Sequence, residues 1–413
     1  MVRVMPSDKG ERDFFSFCKR IAKNNTIMMT YTDEGYLPLF NVFYRTSHLE
    51  RYSNFFVVAA DATTFHTLRS RGIPVLYDQA TGVSEQAAKE GSIITSSTFQ
   101  RKVLNKMMVI RSIQSMGFTL LYMDCDIILF RDPWPILSAF SARDFDIVSQ
   151  KDYTLNSGFM LLFPTNNTKT VLRRAYFHML QRAQLDQESI VFAMKSTPCA
   201  LQLLPEQQFS NGRVFFARHQ FYWDRVGEDE VMMHNNFIIG SENKYYRLRE
   251  MRLYEDDTDG YYSSPTRKYL MVDAEERKRN STRYLMQVAV LSRMLNRTFL
   301  LPTFLCPSFF SVKKCNLCRN ELMCFKKFRS AIRGDYRAYT FREHALTPED
   351  VKRAIREDRA FNVSIASTDN GTISLPKNMA RDGIVRTFQP YASLRVLKLS
   401  DLPSQFPSKW TCL

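Results

Sequence analysis

Short apolar runs alternate with helix-like stretches through the first half of the 413-residue chain. Each run is continuously apolar rather than alternating between apolar and polar residues. The runs are Thr26–Thr30, Asn54–Ala60, Ile73–Tyr77, Phe118–Met123, Asp146–Gln150 and Gly158–Phe163. Strands of this kind are buried on both faces, as in parallel sheets that helices cover. We therefore predict an α/β fold with a mostly parallel sheet flanked by helices.

The N-terminal part of the chain is nearly neutral, whereas the C-terminal part is strongly basic. Residues 1–264 carry 30 Lys and Arg against 29 Asp and Glu, whereas residues 265–413 carry 27 against 13. The polar segment 255–267 (EDDTDGYYSSPTR) has the composition of a linker. We therefore predict one domain over residues 1–255 and a smaller basic, accessory C-terminal domain over residues 268–413.

The smaller domain is also predicted to be α/β. It has a helical pattern over Thr282–Leu295, a strand pattern over Phe299–Leu301 and a helix start at Thr347. Its basic surface is compatible with an acidic polymer, an anionic membrane surface or plain solvation. Because its Lys and Arg residues show no RNA-binding or zinc-finger signature, we expect no nucleic-acid partner.

Four of the eight cysteines lie within Cys306–Cys324 of the smaller domain. They fit disulfides of an oxidising compartment. The two-residue spacing of Cys315 and Cys318 also fits zinc, but no second matched pair accompanies it. Six Asn-x-Ser/Thr triplets favour the secretory lumen and therefore disulfides. These triplets begin at Asn24, Asn166, Asn280, Asn296, Asn362 and Asn370.

The N-terminus does not supply the entry signal that a lumenal protein needs. No apolar run is long enough to cross a membrane, and the first 23 residues are charged and unlike a signal peptide. Two interpretations stay open at this point: the N-terminus shown lacks its entry signal, or the protein is not lumenal.

The segment Leu120–Pro135 (LLYMDCDIILFRDPWP) carries the strongest chemical signal. An apolar strand delivers Asp124 and Asp126 at its carboxyl end, where ligands bind in open α/β sheets. Two carboxylates on alternate residues can turn toward one divalent cation, and such a cation neutralises a diphosphate leaving group as a Lewis acid. The alternative is a strand that ends in an ordinary turn or helix cap.

A second segment, Met232–Lys244 (MMHNNFIIGSENK), adds residues suited to the same site. His234 is a candidate third metal ligand because imidazole suits Mn²⁺. Lys244 can hold a phosphate, and Gly240 lets the backbone pass close to a diphosphate. Taken alone, His234 has a simpler interpretation as a lone surface histidine.

Two further polar steps complete the candidate site. Asn156-Ser157-Gly158 comes directly before the apolar run Phe159–Phe163, where an ordinary turn would also explain it. Asp186-Gln187-Glu188 begins a helical pattern, where acids in the first turn are expected in any case. Neither step is informative without the segments around Asp126 and His234.

In their order and spacing these pieces resemble the nucleotide-diphospho-sugar transferases that include plant extensin arabinosyltransferases and rhamnogalacturonan xylosyltransferases. The resemblance rests on Thr30–Tyr36, Val58–Asp61, Lys106, Asp124 and Asp126, Asn156–Gly158, Asp186-Gln187, and His234 with Asn236, Gly240 and Lys244. Arg283–Cys306 and Phe341–His344 are similar to the C-terminal part of the arabinosyltransferases, so the resemblance covers most of the chain.

The resemblance implies a GT-A fold, a UDP-pentose donor, retention of anomeric configuration and a Golgi-lumen location. It implies a glycoprotein or polysaccharide acceptor, and membrane association only through an N-terminal anchor not present in this chain. Asp124, Asp126 and His234 would hold Mn²⁺ or Mg²⁺. Lys106, Gly240 and Lys244 would bind the donor diphosphate. Thr30, Tyr31, Asp33 and Asp61 would line the nucleoside pocket, and Asn156, Asp186 and Gln187 would face the sugar.

Two other functions fit parts of the same pattern. A nucleotidyltransferase also uses paired aspartates and metal, but the Gly-rich phosphate loop common in such enzymes is absent from this sequence. A catalytically inactive, carbohydrate-binding relative would use the basic C-terminal half instead, because a fold does not fix a function. The set of Asp124, Asp126, Asp186, Gln187 and His234 argues against such a loss of activity.

Overall fold

A computed structural model gives the fold of two compact units. The first comprises residues 1–218 and 225–245, and the second residues 219–224 and 246–413. The predicted domains, 1–255 and 268–413, stay a prediction. The structure describes residues 4–5, 14–78, 97–218, 229–237, 241, 244–245, 248, 253, 264–272, 288, 290–301, 340–342, 361–364, 372–374 and 379–400.

Strands and helices alternate along the first unit. Its elements are β1 (Val4–Met5), α1 (Phe14–Ile21), β2 (Thr26–Thr32), α2 (Leu37–Thr46), β3 (Phe55–Ala59), α3 (Ala62–Ser70), β4 (Val75–Asp78), α4 (Ser97–Ser115), β5 (Thr119–Met123), β6 (Ile127–Leu129), α5 (Trp134–Leu137), β7 (Ile147–Lys151), β8 (Leu155–Leu162), α6 (Asn166–Arg182), α7 (Asp186–Met194), β9 (Leu201–Leu203), β10 (Phe209–Asn211), α8 (Gly212–Arg218) and β11 (Met232–His234).

Capping residues set several of the element boundaries. Asp61 accepts a hydrogen bond from the amide of Thr64 and begins α3, and Thr165 does the same for α6 through Thr168. Such caps satisfy amide groups that have no partner within the helix. The turn between α4 and β5 passes through Gly117, whose φ of 88° is unstrained for glycine.

An eight-stranded sheet, ordered β1-β4-β3-β2-β5-β8-β7-β9, forms the centre of the first unit. Four of its neighbouring pairs are parallel and three are antiparallel. The predicted mixed α/β fold with a mostly parallel sheet is therefore confirmed. The antiparallel strand β8 matters most for the site, because Phe159 lies opposite Met123, the last residue of β5, and the carbonyl of Gly158 accepts from the amide of Asp124 at 2.7 Å.

The Asn156-Ser157-Gly158 step differs from its sequence-based prediction. The sequence places it directly before the apolar run Phe159–Phe163, with an ordinary turn as the alternative, whereas β8 begins at Leu155 and contains all three residues in a fully buried stretch. Side chains satisfy much of the backbone here: the amide of Gly158 donates to Asn156 Oδ1, the amide of Ser157 donates to Gln187 Oε1, and the Ser149 hydroxyl donates to the carbonyl of Asn156. Burial and these contacts outweigh the weak strand preference of Asn and Gly.

A three-stranded sheet, ordered β10-β11-β6, lies at the carboxyl end of β5. In the antiparallel pair of β11 with β6, His234 lies opposite Ile127. That pairing brings His234 next to the Asp124–Asp126 turn, although the two segments are far apart in the sequence.

Buried apolar side chains cover both faces of the eight-stranded sheet. Met29 and Tyr122 belong to the cluster that packs under α1, α4, α6 and α7. Their neighbours Met28 and Leu121 belong to the opposite cluster, which includes residues of α2 and α3. Successive strand residues point to opposite faces, so a continuously apolar run is what a sheet covered on both sides requires.

The second unit contains a six-stranded, all-parallel sheet. Its strands are β12 (Tyr269–Val272), β13 (Thr298–Leu301), β14 (Thr340–Arg342), β15 (Phe361–Ser364), β16 (Thr372–Ser374) and β17 (Val396–Ser400), ordered β14-β13-β12-β17-β15-β16. Residues 290–294 are helical, and α9 (Arg381–Phe388) precedes β17. The predicted helix and strand around residue 295 therefore lie within this unit.

Several predictions fall outside the described residues. They concern Gly240, the linker residues before 264, the cluster Cys306–Cys324 and the helix that begins at Thr347. Within the described part of the chain, Cys125 and Cys199 are free thiols. No helix among the described residues is both long and apolar enough to cross a membrane.

Candidate active site

Asp124 and Asp126 occupy the turn between β5 and β6, at the carboxyl end of the central sheet. The antiparallel pairing of β6 with β11 brings His234 to them. One ligand atom from each of these three residues lies within 4.8 Å of the other two. The predicted metal ligands are thus brought together.

Asp126 is buried between the side chains of Lys244 and His234. Lys244 Nζ lies 2.6 Å from Asp126 Oδ2, and His234 Nε2 lies 3.3 Å from Asp126 Oδ1. Burial alone would raise the pKa of Asp126, but Lys244 and His234 outweigh burial and hold that pKa well below its ordinary value. Asp126 therefore stays an anion across the physiological range.

Gln150 on β7 fixes the tautomer of His234. The Gln150 side-chain amide donates from Nε2 to the carbonyl of Phe209 at 3.2 Å. Its Oε1 lies 3.1 Å from His234 Nδ1 and can only accept, so Nδ1 carries the proton. In the neutral ring, Nε2 then presents its lone pair to Asp124 and Asp126, which is the arrangement a metal ligand needs.

Gly158 leaves the space in which these side chains meet. A Cβ atom at this position would lie 2.4 Å from His234 Cε1, 2.6 Å from Asp124 Oδ2 and 3.0 Å from Asn156 Oδ1. All three distances are shorter than ordinary van der Waals contact. Only glycine at this point of β8 allows the metal ligands and Asn156 to approach one another so closely.

Lys106 on α4 connects the metal ligands to Asp186 at the start of α7. Its Nζ lies 2.5 Å from Asp186 Oδ2 and 3.6 Å from Asp124 Oδ1. Burial would lower the pKa of Lys106, but Asp124 and Asp186 outweigh burial and raise it. The Tyr122 hydroxyl donates to Asp124 Oδ1 at 2.5 Å, and Lys106 lies over the Tyr122 ring.

Asn156 and Gln187 meet through Asp152. Asn156 Nδ2 and Gln187 Nε2 lie 3.3 Å and 3.4 Å from Asp152 Oδ2. The Asn156 Oδ1 accepts from the amide of Gly158 at 2.8 Å, and Gln187 Oε1 accepts from the amide of Ser157 at 3.3 Å. The three predicted sugar-facing residues, Asn156, Asp186 and Gln187, therefore surround the start of β8.

The predicted nucleoside residues form a separate group at the carboxyl end of β2. Tyr31 donates its hydroxyl hydrogen to Asp78 at 2.9 Å. Asp33 accepts from the amide of Tyr36 and forms a buried ion pair with Lys102. Burial raises the pKa of Asp33, although Lys102 opposes the shift. These contacts support the loop after β2, in which the ring centroid of Tyr36 lies 6.0 Å from Nζ of Lys244, the partner of Asp126.

Asp61 and Thr30 make different contributions to that group. Both oxygens of Asp61 accept hydrogen bonds within the chain, Oδ1 from the amide of Thr64 and Oδ2 from the amide of Glu34. Asp61 therefore joins α3 to the loop after β2, and Thr30 is fully buried in β2. The Thr32 hydroxyl lies 3.7 Å from Cys125 Sγ and connects this group to the metal turn.

Sequence reasoning did not identify Lys102, Tyr122 and Gln150 as part of the site. Lys102 precedes Lys106 by one helical turn, so the two lysines share a face of α4. Tyr122 precedes Asp124 by two residues, the spacing of side chains on one face of a strand. Both signals are visible in the sequence. The role of Gln150 depends on the packing of β7 beside β11 and has no local signal.

The donor atoms suit a divalent metal ion. Two carboxylates and an imidazole with its Nε2 lone pair directed toward them form a mixed oxygen and nitrogen set, which suits Mn²⁺ and is compatible with Mg²⁺. Burial raises the pKa of the neighbouring Cys125 thiol well above its ordinary value, and Asp126 and Asp124 add to the shift. Without a bound metal, Cys125 is therefore a protonated thiol.

The sequence matches known glycosyltransferases. Residues 51–248 match the family described as nucleotide-diphospho-sugar transferase. An arabinosyltransferase of Arabidopsis thaliana is 21% identical over 93% of this chain and 70% of its own length. A UDP-D-xylose:L-fucose alpha-1,3-D-xylosyltransferase of the same plant is 25% identical over 61% of this chain and 77% of its own length.

Solved structures give weaker matches. The glycosyltransferase GlyE of Streptococcus pneumoniae aligns with a TM-score of 0.36 at 13% identity, over 66% of this chain and 73% of that chain. The assignment therefore rests on the sequence matches, which include Asp124, Asp126, His234 and Lys244 within residues 51–248. Residues 51–248 of this chain belong to the nucleotide-diphospho-sugar transferase family, and the chain is a glycosyltransferase.

Proposed function

We propose that the enzyme moves a pentose, arabinose or xylose, from a UDP-sugar to a hydroxyl group of a glycoprotein or polysaccharide. The proposal includes dependence on Mn²⁺ or Mg²⁺ and retention of the anomeric configuration. The observation that carries it is the convergence of Asp124, Asp126 and His234 beside Lys244 and Lys106. The arabinosyl- and xylosyltransferase relatives support the choice of sugar.

In the proposed reaction the bond between C1 of the sugar and the diphosphate oxygen breaks, and its electron pair stays on the diphosphate. The acceptor hydroxyl oxygen forms the new bond to C1, and its proton passes to the departing diphosphate. Asp124, Asp126 and His234 would hold a divalent ion, which would supply Lewis-acid stabilisation of the leaving group. Lys244 and Lys106 place fixed positive charge beside the same group, where it stabilises the transition state most.

The remaining residues have proposed roles at the two ends of the donor. Thr30, Tyr31, Asp33 and Asp61 line the nucleoside end, and Gly240 lets the backbone approach the diphosphate. Asn156, Asp186 and Gln187 face the sugar. Because Lys106 pairs with Asp186, Asp186 is an anion that can stabilise positive charge developing on the sugar.

We also propose a division of labour and a location. Residues 1–255 form the catalytic domain, and the basic residues 268–413 form an accessory domain, in keeping with the two compact units. The secretory lumen is the proposed compartment, on the basis of the six glycosylation triplets.

The proposal is tested by donor turnover. The purified protein is incubated with a panel of UDP- and GDP-sugars and Mn²⁺, with and without a chelator, and released nucleotide is measured. We expect turnover of one UDP-pentose, its loss on chelation and its loss in Asp126→Ala with an unchanged circular-dichroism spectrum. The anomeric proton coupling of the product reports retention.

Other outcomes of the same assay contradict specific parts of the proposal. Activity of Asp126→Ala within several-fold of the parent rules out the metal assignment. Turnover that survives the chelator rules out metal dependence. Release of pyrophosphate from a nucleoside triphosphate identifies a nucleotidyltransferase instead.

A further inference from the structure

Two aromatic rings are exposed to solvent beside the candidate active site. Tyr153, in the loop between β7 and β8, is 78% exposed, and Phe237, just after β11, is 42% exposed. Tyr153 is the most exposed large apolar side chain in the described part of the chain. The two ring centroids lie 6.4 Å apart, with an interplanar angle of 74°.

Each ring lies close in sequence to residues of the site. Tyr153 follows Asp152, whose carboxylate contacts the side chains of Asn156 and Gln187. Phe237 follows β11, the strand that delivers the metal-ligand candidate His234. The pair therefore stands where the sugar-facing side of the site meets the metal-ligand side.

The rings are held in place rather than left free. Arg213 on α8 donates from Nη1 to the Tyr153 hydroxyl oxygen at 2.8 Å, and its guanidinium carbon lies 5.5 Å from the Tyr153 ring centroid. Such a contact restrains an exposed ring at a modest gain in free energy. The three side chains of Tyr153, Phe237 and Arg213 are called the aromatic platform below.

The backbone at Phe237 has an unusual, strained conformation. Its φ is +56°, in the left-handed region that a bulky residue rarely adopts. The preceding residue fixes this geometry, because Asn236 Oδ1 accepts from the amide of Gly212 at 2.7 Å. The Asn236 carbonyl would also lie 2.3 Å from any Cβ at Gly212. Strain that the surrounding structure maintains is typical of functional sites.

We propose that the aromatic platform binds the acceptor sugar, an inference that rests on the proposed function. A sugar ring has a C–H face that packs on an aromatic ring and an edge of hydroxyl groups that accept hydrogen bonds. Tyr153 and Phe237 supply the aromatic surface, and Arg213 supplies donors beside it.

The position of the aromatic platform favours the acceptor over the nucleoside base, which also stacks on aromatic rings. The proposed nucleoside residues lie at the carboxyl ends of β2 and β3, where Tyr31 contacts Asp78 and Asp33 contacts Lys102. The platform instead adjoins Asp152, which contacts Asn156 and Gln187 at the sugar side of the site.

Two variants remove the rings with little risk to the fold. Tyr153→Ala changes an exposed loop residue. Phe237→Asn removes the ring and keeps a residue that tolerates the left-handed backbone. Tyr153→Phe retains the ring, and Phe177→Ala removes a ring that is 50% exposed on α6, away from the site.

Transfer and binding are measured with the methyl glycosides of fucose, arabinose, galactose and rhamnose. Kinetics with the UDP-sugar found in the donor assay give KM for each glycoside and the ratio of transfer to donor hydrolysis. Saturation-transfer NMR with the same glycosides, in the absence of donor, gives binding independently of catalysis.

For Tyr153→Ala and Phe237→Asn we expect KM for the glycoside to rise about ten-fold. The ratio of transfer to hydrolysis should fall by a similar factor. Phe177→Ala should stay within about two-fold of the parent protein. Tyr153→Phe keeps the ring but loses the hydrogen bond from Arg213, so its KM should lie between those of the parent and Tyr153→Ala.

Three outcomes overturn the inference: no glycoside binds the parent protein, both variants bind as the parent does, or KM rises for the donor alone. The last result would identify a platform for the nucleoside base. If the parent turns over no donor but binds a glycoside that the variants lose, the proposed function fails and the carbohydrate platform stands.

Discussion

The Oε1 atom of Gln150 lies 3.1 Å from the Nδ1 atom of His234, and both side chains are buried. Because the Gln150 amide nitrogen is committed to the carbonyl of Phe209, the histidine proton is confined to Nδ1. Gln150 thus orients the imidazole ring of His234, the candidate metal ligand, and is not a candidate ligand itself.

Replacing Gln150 with Leu should weaken Mn²⁺ binding about ten- to one-hundred-fold, because the His234 ring loses its orienting acceptor. Calorimetric titration with Mn²⁺ measures the loss without an activity assay. Gln150→Glu retains an acceptor oxygen for Nδ1 and should recover part of the affinity. Equal Mn²⁺ affinity in Gln150→Leu and the parent would show that His234 is held by other contacts.

Gly158→Ala should lower both Mn²⁺ affinity and sugar transfer, with transfer falling about one-hundred-fold. The new Cβ would lie 2.4 Å from His234 Cε1 and 2.6 Å from Asp124 Oδ2, so both ligands must move. Gly383→Ala is the matched control, because its Cβ would meet only the flexible Met379 side chain at 2.7 Å. Normal transfer by Gly158→Ala would refute the crowding argument.

Lys106→Met should reduce kcat of transfer by about two to three orders of magnitude, since it removes a buried cation between Asp124 and Asp186. Lys102→Met, one helical turn earlier, removes the partner of Asp33 and should act mainly on KM for the donor. Steady-state kinetics distinguish the two variants. Identical effects on kcat and KM would contradict the separate roles of the two lysines.

The buried pair of Lys244 and Asp126 should stabilise the fold over a defined pH window. The folded pKa of Asp126 is depressed from 3.8, so its contribution is present above pH 4 and is lost as the pH falls further. The folded pKa of Lys244 is raised from 10.5, so its contribution is present below pH 10 and is lost as the pH rises further.

Urea unfolding of the parent and Lys244→Met across pH checks this window. The variant should be less stable by about 3 kcal/mol near pH 7, because one buried charge loses its partner. The difference in unfolding free energy should be constant between pH 5 and pH 9 and should shrink outside that range. A difference that changes steadily through neutral pH would mean that another group titrates in the pair.

The strands of the first unit were predictable because their signal is local. Phe118–Met123 was predicted as a strand, and Thr119–Met123 is one. A short, continuously apolar run is typical of a strand that is buried on both faces. The paired aspartates were recognisable because they follow that run directly. The helix pattern Phe99–Met116 likewise corresponds to α4.

Features that depend on contacts between strands were not predictable in the same way. The residues Asn156, Ser157 and Gly158 have weak strand preference, yet burial and hydrogen bonds with the side chains of Ser149 and Gln187 hold them inside β8. Gln150 belongs to the site only through the packing of β7 beside β11 and the Asp124–Asp126 turn. Such contacts leave no periodic pattern in a single sequence.

The pairing of His234 with Ile127 has a consequence for how the protein reaches its native state. Contacts between segments that are far apart in sequence form late, because a long loop must close first. A nascent chain that has not yet emerged beyond β10 would carry both aspartates of the metal turn but not the histidine strand. High-affinity uptake of a divalent ion would therefore report that the first unit has finished folding, and the ion would in turn stabilise the last strand to arrive.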